Sequence, residues 1–266
     1  MTGVTSDVPF PVDPLIAEAK RRMRRRWFAV ALIVLLLAGG IGAGLALRSS
    51  GPSQVTGPHG VLGSMVAAAL TQKSVRWTES GGEDMRGSWR STSDLTANSG
   101  EQRLTLPPTD GEADIRFVNG VVYVEGNPAG LQWTLSLTDA QATRYAGQWI
   151  SVPTSDDLYA RTSDGLTLAS LVRNVTSPDL GASFPPRVIR TKLGGTSVID
   201  FVEGEPGRGG PSLKVSTRAG GNGLPIYAAV DFGPGTSFAG RFSNWNEPVH
   251  VRAPAHSIPL ASVRRG

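Results

Sequence analysis

The three histidines are the first candidates for chemistry in this sequence, and their spacing fits no known type of catalytic or metal site. They are His59, His250 and His256. A zinc site needs several ligands that converge, commonly two histidines three residues apart on one helix. The chain also has no Cys, which excludes thiolate ligands, disulfides, a Cys nucleophile and lipidation on Cys. We therefore predict no metal site and no cofactor.

Two pairs of adjacent acids are the next candidates, since paired carboxylates can serve acid–base catalysis or bind calcium. Glu83-Asp84 and Asp156-Asp157 do not lie in a loop with EF-hand spacing, so we interpret them as solvated turns or helix caps. A G-x-S-x-G motif is absent, and no phosphate-cradling helix follows the glycine-rich stretches 204–210, 219–223 and 232–237. We predict no catalytic residue and no enzymatic activity. A hydrolase ranks third among the functions considered, far behind two that involve no catalysis.

Basic residues are concentrated at the N-terminus. Residues 1–50 contain seven Lys or Arg and three acids, whereas residues 51–266 contain 19 of each sign. The net positive charge of the whole chain thus comes from its N-terminal arm. Nucleic-acid binding needs a basic surplus on the folded domain, so we predict no nucleic-acid partner.

A long apolar segment follows this basic arm. Residues 27–47 run 21 positions without a charge, and a helix of that length crosses about 30 Å of hydrocarbon. Six basic residues lie at 20–26, immediately before it. The positive-inside rule then predicts a single-pass helix in the cell membrane, with a cytoplasmic arm at 1–26 and an extracytoplasmic main domain.

A cleaved signal peptide is the alternative for the same segment. Gly44-Leu45-Ala46 is a tolerable cleavage site, but the apolar run exceeds the usual length of roughly 7–15 residues. Retention as a signal-anchor is therefore the preferred interpretation. A Ser/Gly/Pro-rich linker follows at 48–60, then the main domain at 61–256 and a tail at 257–266.

The main domain shows the patterns of an α+β fold. An amphipathic helix is predicted at 61–71, and two more at 138–147 and 164–174, where Thr138 or Asp139 and Ser163 or Asp164 are the candidate N-caps. Asn119-Gly120 joins two alternating runs and predicts a hairpin with a type I′ turn. About eleven strands in all favour one large, strongly curved antiparallel sheet packed on a few helices. The other strands are expected at 76–80, 87–97, 101–107, 148–152, 188–193, 197–204, 212–219, 226–233, 237–245 and 248–254.

The C-terminal stretch FSNWNEPVHVRAP, residues 242–254, resembles the closing strand pair of the mycobacterial LppX/LprG-type envelope lipoproteins. In that actinobacterial family a Ser-(Asn/Asp)-(Trp/Phe)-Gly-x-Pro-Val pattern recurs, and Asn246 stands here at the usual Gly. Weaker similarities occur at 117–126, 147–153 and 164–179, in the family's order.

This resemblance implies a LolA-like half-barrel, whose curved sheet wraps helices around an apolar cavity for acyl chains of lipids or lipoglycans. Members of the family usually carry a lipobox that ends in Cys. Here the corresponding Leu37-Ala38-Gly39-Gly40 ends in Gly, so an uncleaved helix would replace the lipid anchor. Transport by a freely moving carrier is then in doubt.

The leading hypothesis is a membrane-anchored domain that binds a hydrophobic ligand, an acyl lipid or lipoglycan, in envelope lipid handling. The alternative is a protein-interaction or stress-sensor module of the envelope that carries no lipid. Inward-facing apolar residues are candidates for the cavity lining, and plain core packing explains them equally well. They are Met65, Leu70, Phe117, Val122, Leu171, Phe201 and Ile226.

Overall fold

The computed structural model describes residues 57–82, 88–177, 185–205, 211–232 and 237–265. None of the helices in these ranges is long and apolar enough to cross a membrane. The predicted arm at 1–26, the membrane helix at 27–47 and the acidic pair Glu83-Asp84 lie outside them.

One open, curved sheet contains all of the strands in the described ranges. Its strand order is β12-β6-β5-β4-β3-β2-β1-β11-β10-β9-β8-β7, and every pair of neighbours is antiparallel except β12 with β6. The prediction of an α+β fold around one large antiparallel sheet is confirmed. The strands are β1 Ser74–Gly82, β2 Trp89–Thr96, β3 Ser99–Leu106, β4 Gly111–Val118, β5 Val121–Gly126, β6 Ile150–Val152, β7 Arg187–Leu193, β8 Thr196–Gly204, β9 Ser212–Arg218, β10 Pro225–Asp231, β11 Ser237–Ser243 and β12 Ile258–Pro259.

Three of the described helices begin at a residue whose side chain accepts a free backbone N–H: Asn127, Thr138 and Thr167. Of the two N-caps predicted for the second of these helices, Thr138 is the one observed, and it forms a capping box with Gln141. The helix predicted at 164–174 starts later, because Thr167 rather than Asp164 is its N-cap. The helices are α1 Pro58–Leu70, α2 Pro128–Leu135, α3 Asp139–Tyr145, α4 Tyr159–Ser163, α5 Leu168–Thr176 and α6 Leu260–Arg265. Helix α1 therefore begins inside the stretch that the sequence assigns to the linker.

The hairpin between β4 and β5 matches its sequence signature. Val118 pairs with Val121 across the turn, and both Asn119 and Gly120 adopt positive φ angles, 52° and 78°. A type I′ turn requires this conformation at both central positions, and Asn and Gly tolerate it best. The predicted hairpin is confirmed.

The C-terminal segment departs from the prediction. Residues 248–254 form no strand, so the strand predicted there is wrong. Pro248 and Pro254 lack the N–H groups that a strand needs to donate. Residues beyond Ser257, predicted as a tail, form β12 and α6 instead, and both Leu260 and Val263 are fully buried.

Apolar side chains on one face of the sheet, here called the inner face, form two clusters with the helices. The first cluster gathers α1 and α5 against β1 and β8–β11, and the second gathers α2 and α3 against β3–β6. The large members of the first are Met65, Trp77, Leu95, Leu171, Phe201 and Phe242, and those of the second are Leu104, Ile115, Leu131, Leu135, Ile150, Leu166 and Leu260. The opposite face of the sheet is called the outer face.

Candidate ligand site on the inner face

The two groups of helices leave the centre of the inner face between them. Helices α1 and α5 make their main sheet contacts with β7–β10, whereas α2 and α4 contact β3–β5. Strands β11, β1 and β2 lie between these regions in the sheet order. The first cluster buries Trp77, Leu95 and Phe242 on these strands. A ligand that enters between the helix groups would therefore meet only the half-buried ends of the three strands.

Four half-buried residues form a mouth at this position, here called the inner mouth: Glu79, Gly81, Trp89 and Phe238. Gly81 pairs with Trp89 on one side and with Phe238 on the other, so the two aromatic residues flank it in one row. Glu79 is the next inward residue along β1, because side chains alternate between the faces of a strand. The inner mouth thus presents two aromatic side chains and one carboxyl group.

Two glycines of the sheet leave room for tryptophan rings to pack directly on the backbone. A Cβ added at Gly240 would lie 2.3 Å from Cζ2 of Trp77, and one added at Gly81 would lie 2.6 Å from the ring of Trp89. Gly240 is the cross-strand partner of Glu79. Glu79 therefore has two glycine neighbours that indole rings cover: Gly240 across the strands and Gly81 two residues along β1.

Glu79 is held by a short chain of hydrogen bonds across β1, β2 and β3. The Ser91 hydroxyl donates to Oε1 of Glu79 over 2.8 Å, and Nε2 of Gln102 donates to Oγ of Ser91 over 3.1 Å. Loss of hydration raises the pKa of Glu79, and the Trp77 indole and the Ser91 hydroxyl oppose that rise. No Lys or Arg pairs with Glu79 among the described residues, so no cation opposes the rise in its pKa.

The indole N–H of Trp77 is buried and has no hydrogen-bond acceptor of normal geometry. It lies near enough to Glu79 to lower the pKa of that carboxyl group without completing a hydrogen bond. Unpartnered buried donors are uncommon in folded proteins and cost free energy.

The structure does not bring the predicted lining residues together. Met65, Leu171 and Phe201 are buried in the first cluster, whereas Val122 is buried in the second and Phe117 packs against it. Leu70 is 49% exposed at the end of α1, and Ile226 is half-buried on β10. Their role in a ligand cavity stays a prediction.

Sequence reasoning missed Glu79, although one signal was present. The run Val-Arg-Trp-Thr-Glu at 75–79 alternates at period two, so Val75, Trp77 and Glu79 share one face of β1. A carboxylate in line with two large apolar residues is unusual on an inward face.

The acidic pair Asp156-Asp157, also singled out in the sequence, has a structural role. Asp156 accepts a hydrogen bond from the backbone N–H of Leu158 over 2.9 Å, and Arg264 contacts both Asp156 and Asp157, which fits the prediction of a turn. Within the described residues, no group of His, Asp and Glu side chains is arranged to hold a metal ion.

Comparison with known proteins gives matches among solved structures only. No family model matches the chain, and no curated protein matches it. LprF from Mycobacterium bovis is similar with 14% identity and a TM-score of 0.46, over 75% of this chain and 97% of that one. LppX from Mycobacterium tuberculosis is similar with 16% identity and a TM-score of 0.45, over 73% and 98%. The MucA/MucB complex of Pseudomonas aeruginosa gives 13% identity and a TM-score of 0.35, over 71% and 56%. The solved structures similar to this chain thus include lipoproteins of the LppX type, which the C-terminal motif resembles.

Proposed function

We propose that this chain is a membrane-anchored extracytoplasmic protein whose inner face binds a hydrophobic ligand, an acyl lipid or a lipoglycan. The observation that carries the proposal is the inner mouth, where Trp89 and Phe238 flank Gly81 and the desolvated Glu79 is the next inward residue of β1. Sites for small apolar ligands combine mainly apolar walls with a few placed polar groups, and this arrangement has that composition.

Burial of the acyl chain would supply the binding free energy. Each CH₂ group removed from water contributes about 0.8 kcal/mol, so long chains bind without any covalent step. The carboxyl group of Glu79 would orient the polar end of the ligand, because it is a polar group largely withdrawn from water. Binding rather than catalysis is the chemistry that such a site supports.

The proposed anchor is the apolar segment at 27–47 with its basic flank. It would place the domain on the outer side of the cell membrane and restrict the ligand exchange to that membrane. Handling of envelope lipids at a fixed position is the role that we propose.

Photo-crosslinking of the full-length chain in membranes tests the proposal. Cells are fed a fatty acid with a diazirine near the chain end, the membranes are irradiated, and labelled peptides are mapped by mass spectrometry. We expect label in strands β1, β2 and β11 in addition to the segment at 27–47, which serves as an internal positive control. Label confined to residues 27–47 would contradict ligand binding by the domain.

A protein-interaction or stress-sensor module is the second candidate, and a different surface favours it. Strand β7 is an edge of the sheet, and it exposes Val188 by 40% and Ile189 by 41%. An edge strand offers free backbone groups to a partner strand, and the exposed Val188 and Ile189 add apolar contacts. A photoreactive phenylalanine analogue in place of Ile189 would then give a discrete protein adduct in cells. The same analogue in place of Arg144, which lies outside β7, would give none. Absence of an adduct at Ile189 would contradict this candidate.

A further inference from the structure

The outer face carries a second candidate site on the same central strands. An open depression of about 560 Å³ lies over β1, β2, β3 and β11. Its floor contains Thr78 and Thr92, which pair directly across β1 and β2. Three arginines, Arg90, Arg103 and Arg241, stand around this floor. These five residues are here called the arginine trough.

The register of the strands places the arginines on opposite sides of the threonine pair. Arg241 is the β11 partner of Thr78, and Arg103 is the β3 partner of Thr92. Side chains in directly opposed positions lie about 4.5–5.5 Å apart at Cβ, and diagonal neighbours about 7–8 Å. Arg90 is a diagonal neighbour of Arg103, since Arg90 pairs with Thr105. Long guanidinium side chains can therefore converge above the two hydroxyl groups.

The arginine trough differs from the rest of the outer face in its charge balance. Arg76 pairs with Asp94 at 2.8 Å, and Arg116 pairs with Glu101 at 3.3 Å. Within the trough only Arg103 has an acidic partner, Asp114 at 3.1 Å. Arg90 and Arg241 are exposed and form no ion pair with any described residue. Glu79 also borders the depression, but its carboxyl group accepts a hydrogen bond from the Ser91 hydroxyl on the inner face.

We propose that the arginine trough binds a phosphate ester. Guanidinium groups donate paired hydrogen bonds that match the oxygens of a phosphate, and threonine hydroxyls add further donors. Tyr227 pairs with Arg241 and also lines the depression, so it offers an apolar wall beside the anion for the organic part of the ester. The ester group is supplied either by a phospholipid headgroup or by a soluble phosphate ester.

Phosphorus NMR on the full-length chain in dodecyl maltoside, an uncharged detergent, tests this inference. The two probes are glycerol 1-phosphate in solution and phosphatidylglycerol in the same micelles, and ³¹P line broadening measures the binding of each. The test variant is Arg90→Gln with Arg241→Gln. The matched control is Arg190→Gln with Arg218→Gln, which changes the net charge equally at exposed residues outside the arginine trough.

We expect saturable binding that weakens at least tenfold in the test variant and remains unchanged in the control. Binding of both probes identifies the phosphate ester itself as the ligand, binding of phosphatidylglycerol alone identifies a lipid headgroup, and binding of glycerol 1-phosphate alone identifies a soluble ester. Equal weakening in both variants, or no saturable binding of either probe, would overturn the inference. Circular dichroism verifies that each variant is folded. Because these arginines are on the outer face, the result is independent of ligand binding at the inner mouth.

Discussion

The inner and outer faces of the three central strands have opposite chemistry, although their residues alternate along the same chain. In β1 the inward residues Trp77 and Glu79 are interleaved with the outward residues Thr78 and Ser80. The inward set is buried or half-buried, and the outward set is exposed. One strand can therefore contribute to two separate binding surfaces, because each face sees only every second residue.

This difference also predicts how each face responds to substitution. Inward side chains pack closely on glycines or take part in hydrogen bonds that join several strands. Outward side chains contact mostly solvent and neighbouring side chains. Loss of an inward contact should change the free energy of unfolding by several kcal/mol, and loss of an outward one by a fraction of that.

Replacement of Trp77 should have the largest effect. The indole is 1% exposed and packs against Phe242 at a tilt of 48°, with ring centroids 4.4 Å apart. Trp77→Ala should reduce the free energy of unfolding by about 3–5 kcal/mol, because it leaves a cavity in the first cluster. Thr78→Ala, at the adjacent outward position, should stay within about 0.5 kcal/mol. Urea unfolding of the full-length chain measures both, and equal losses would contradict the two-face description.

Filling the space above Gly240 should have the next largest effect. A Cβ at this position would overlap the Trp77 ring, so Gly240→Ala should reduce the free energy of unfolding by about 1–3 kcal/mol. Ala239→Ser changes the neighbouring outward position and should have little effect. The same urea titration applies, and a neutral Gly240→Ala variant would show that Trp77 does not depend on that glycine.

Removal of the charge of Glu79 should change the pH dependence of stability. Since burial raises the pKa of Glu79 in the folded state, the folded protein holds its proton to higher pH than the unfolded chain does. Stability should then fall as the pH rises from the ordinary Glu pKa, about 4.3, through the raised pKa of the folded state. Glu79→Gln should abolish this fall and raise the thermal midpoint at pH 8.

Glu112→Gln is the matched control for that experiment, since Glu112 is an exposed residue of β4. Its substitution should leave the pH profile of the wild type intact. Melting curves between pH 4 and pH 9 compare the three proteins. A Glu79→Gln profile that overlays that of the wild type would contradict a desolvated carboxyl group at the inner mouth.

The ion pairs of the outer face should have the smallest effect. Arg76 forms two hydrogen bonds to Asp94, at 2.8 and 2.9 Å, but its side chain remains 45% exposed. A double-mutant cycle with Arg76→Ala and Asp94→Ala should give a coupling of about 0.2–1 kcal/mol that decreases with added salt. A coupling of several kcal/mol would show that this face is less hydrated than its exposure indicates.

Local signals made much of the fold predictable from the sequence. Asn119-Gly120 specifies its turn by backbone conformation alone, and Thr138 with Gln141 marks a helix start. Asn127-Pro128 is a comparable signal that begins α2, which the sequence analysis overlooked: the Asn127 side chain accepts a hydrogen bond from the backbone N–H of Gly130.

The candidate site was less predictable because it depends on pairing between distant segments. Trp77 can lie flat only because β11 places Gly240 beneath it, and no local pattern links the two residues. Similarly, the parallel pairing of β12 with β6 draws Ile258 to Ile150 and turns an apparent tail into part of the sheet. Long-range register, rather than residue type, fixes both features.

The most direct test of ligand binding at the inner mouth compares the same substitution at two adjacent residues of β1. Gly81→Trp displaces the Trp89 ring, because even a Cβ at Gly81 would lie 2.6 Å from it, and so blocks the inner mouth. Ser80→Trp projects from the outer face instead. The measurement is the yield of diazirine fatty-acid label in β1, β2 and β11 of the folded full-length chain. We expect a several-fold loss of label in Gly81→Trp and none in Ser80→Trp. Equal labelling of both variants and the wild type would contradict ligand binding at the inner mouth.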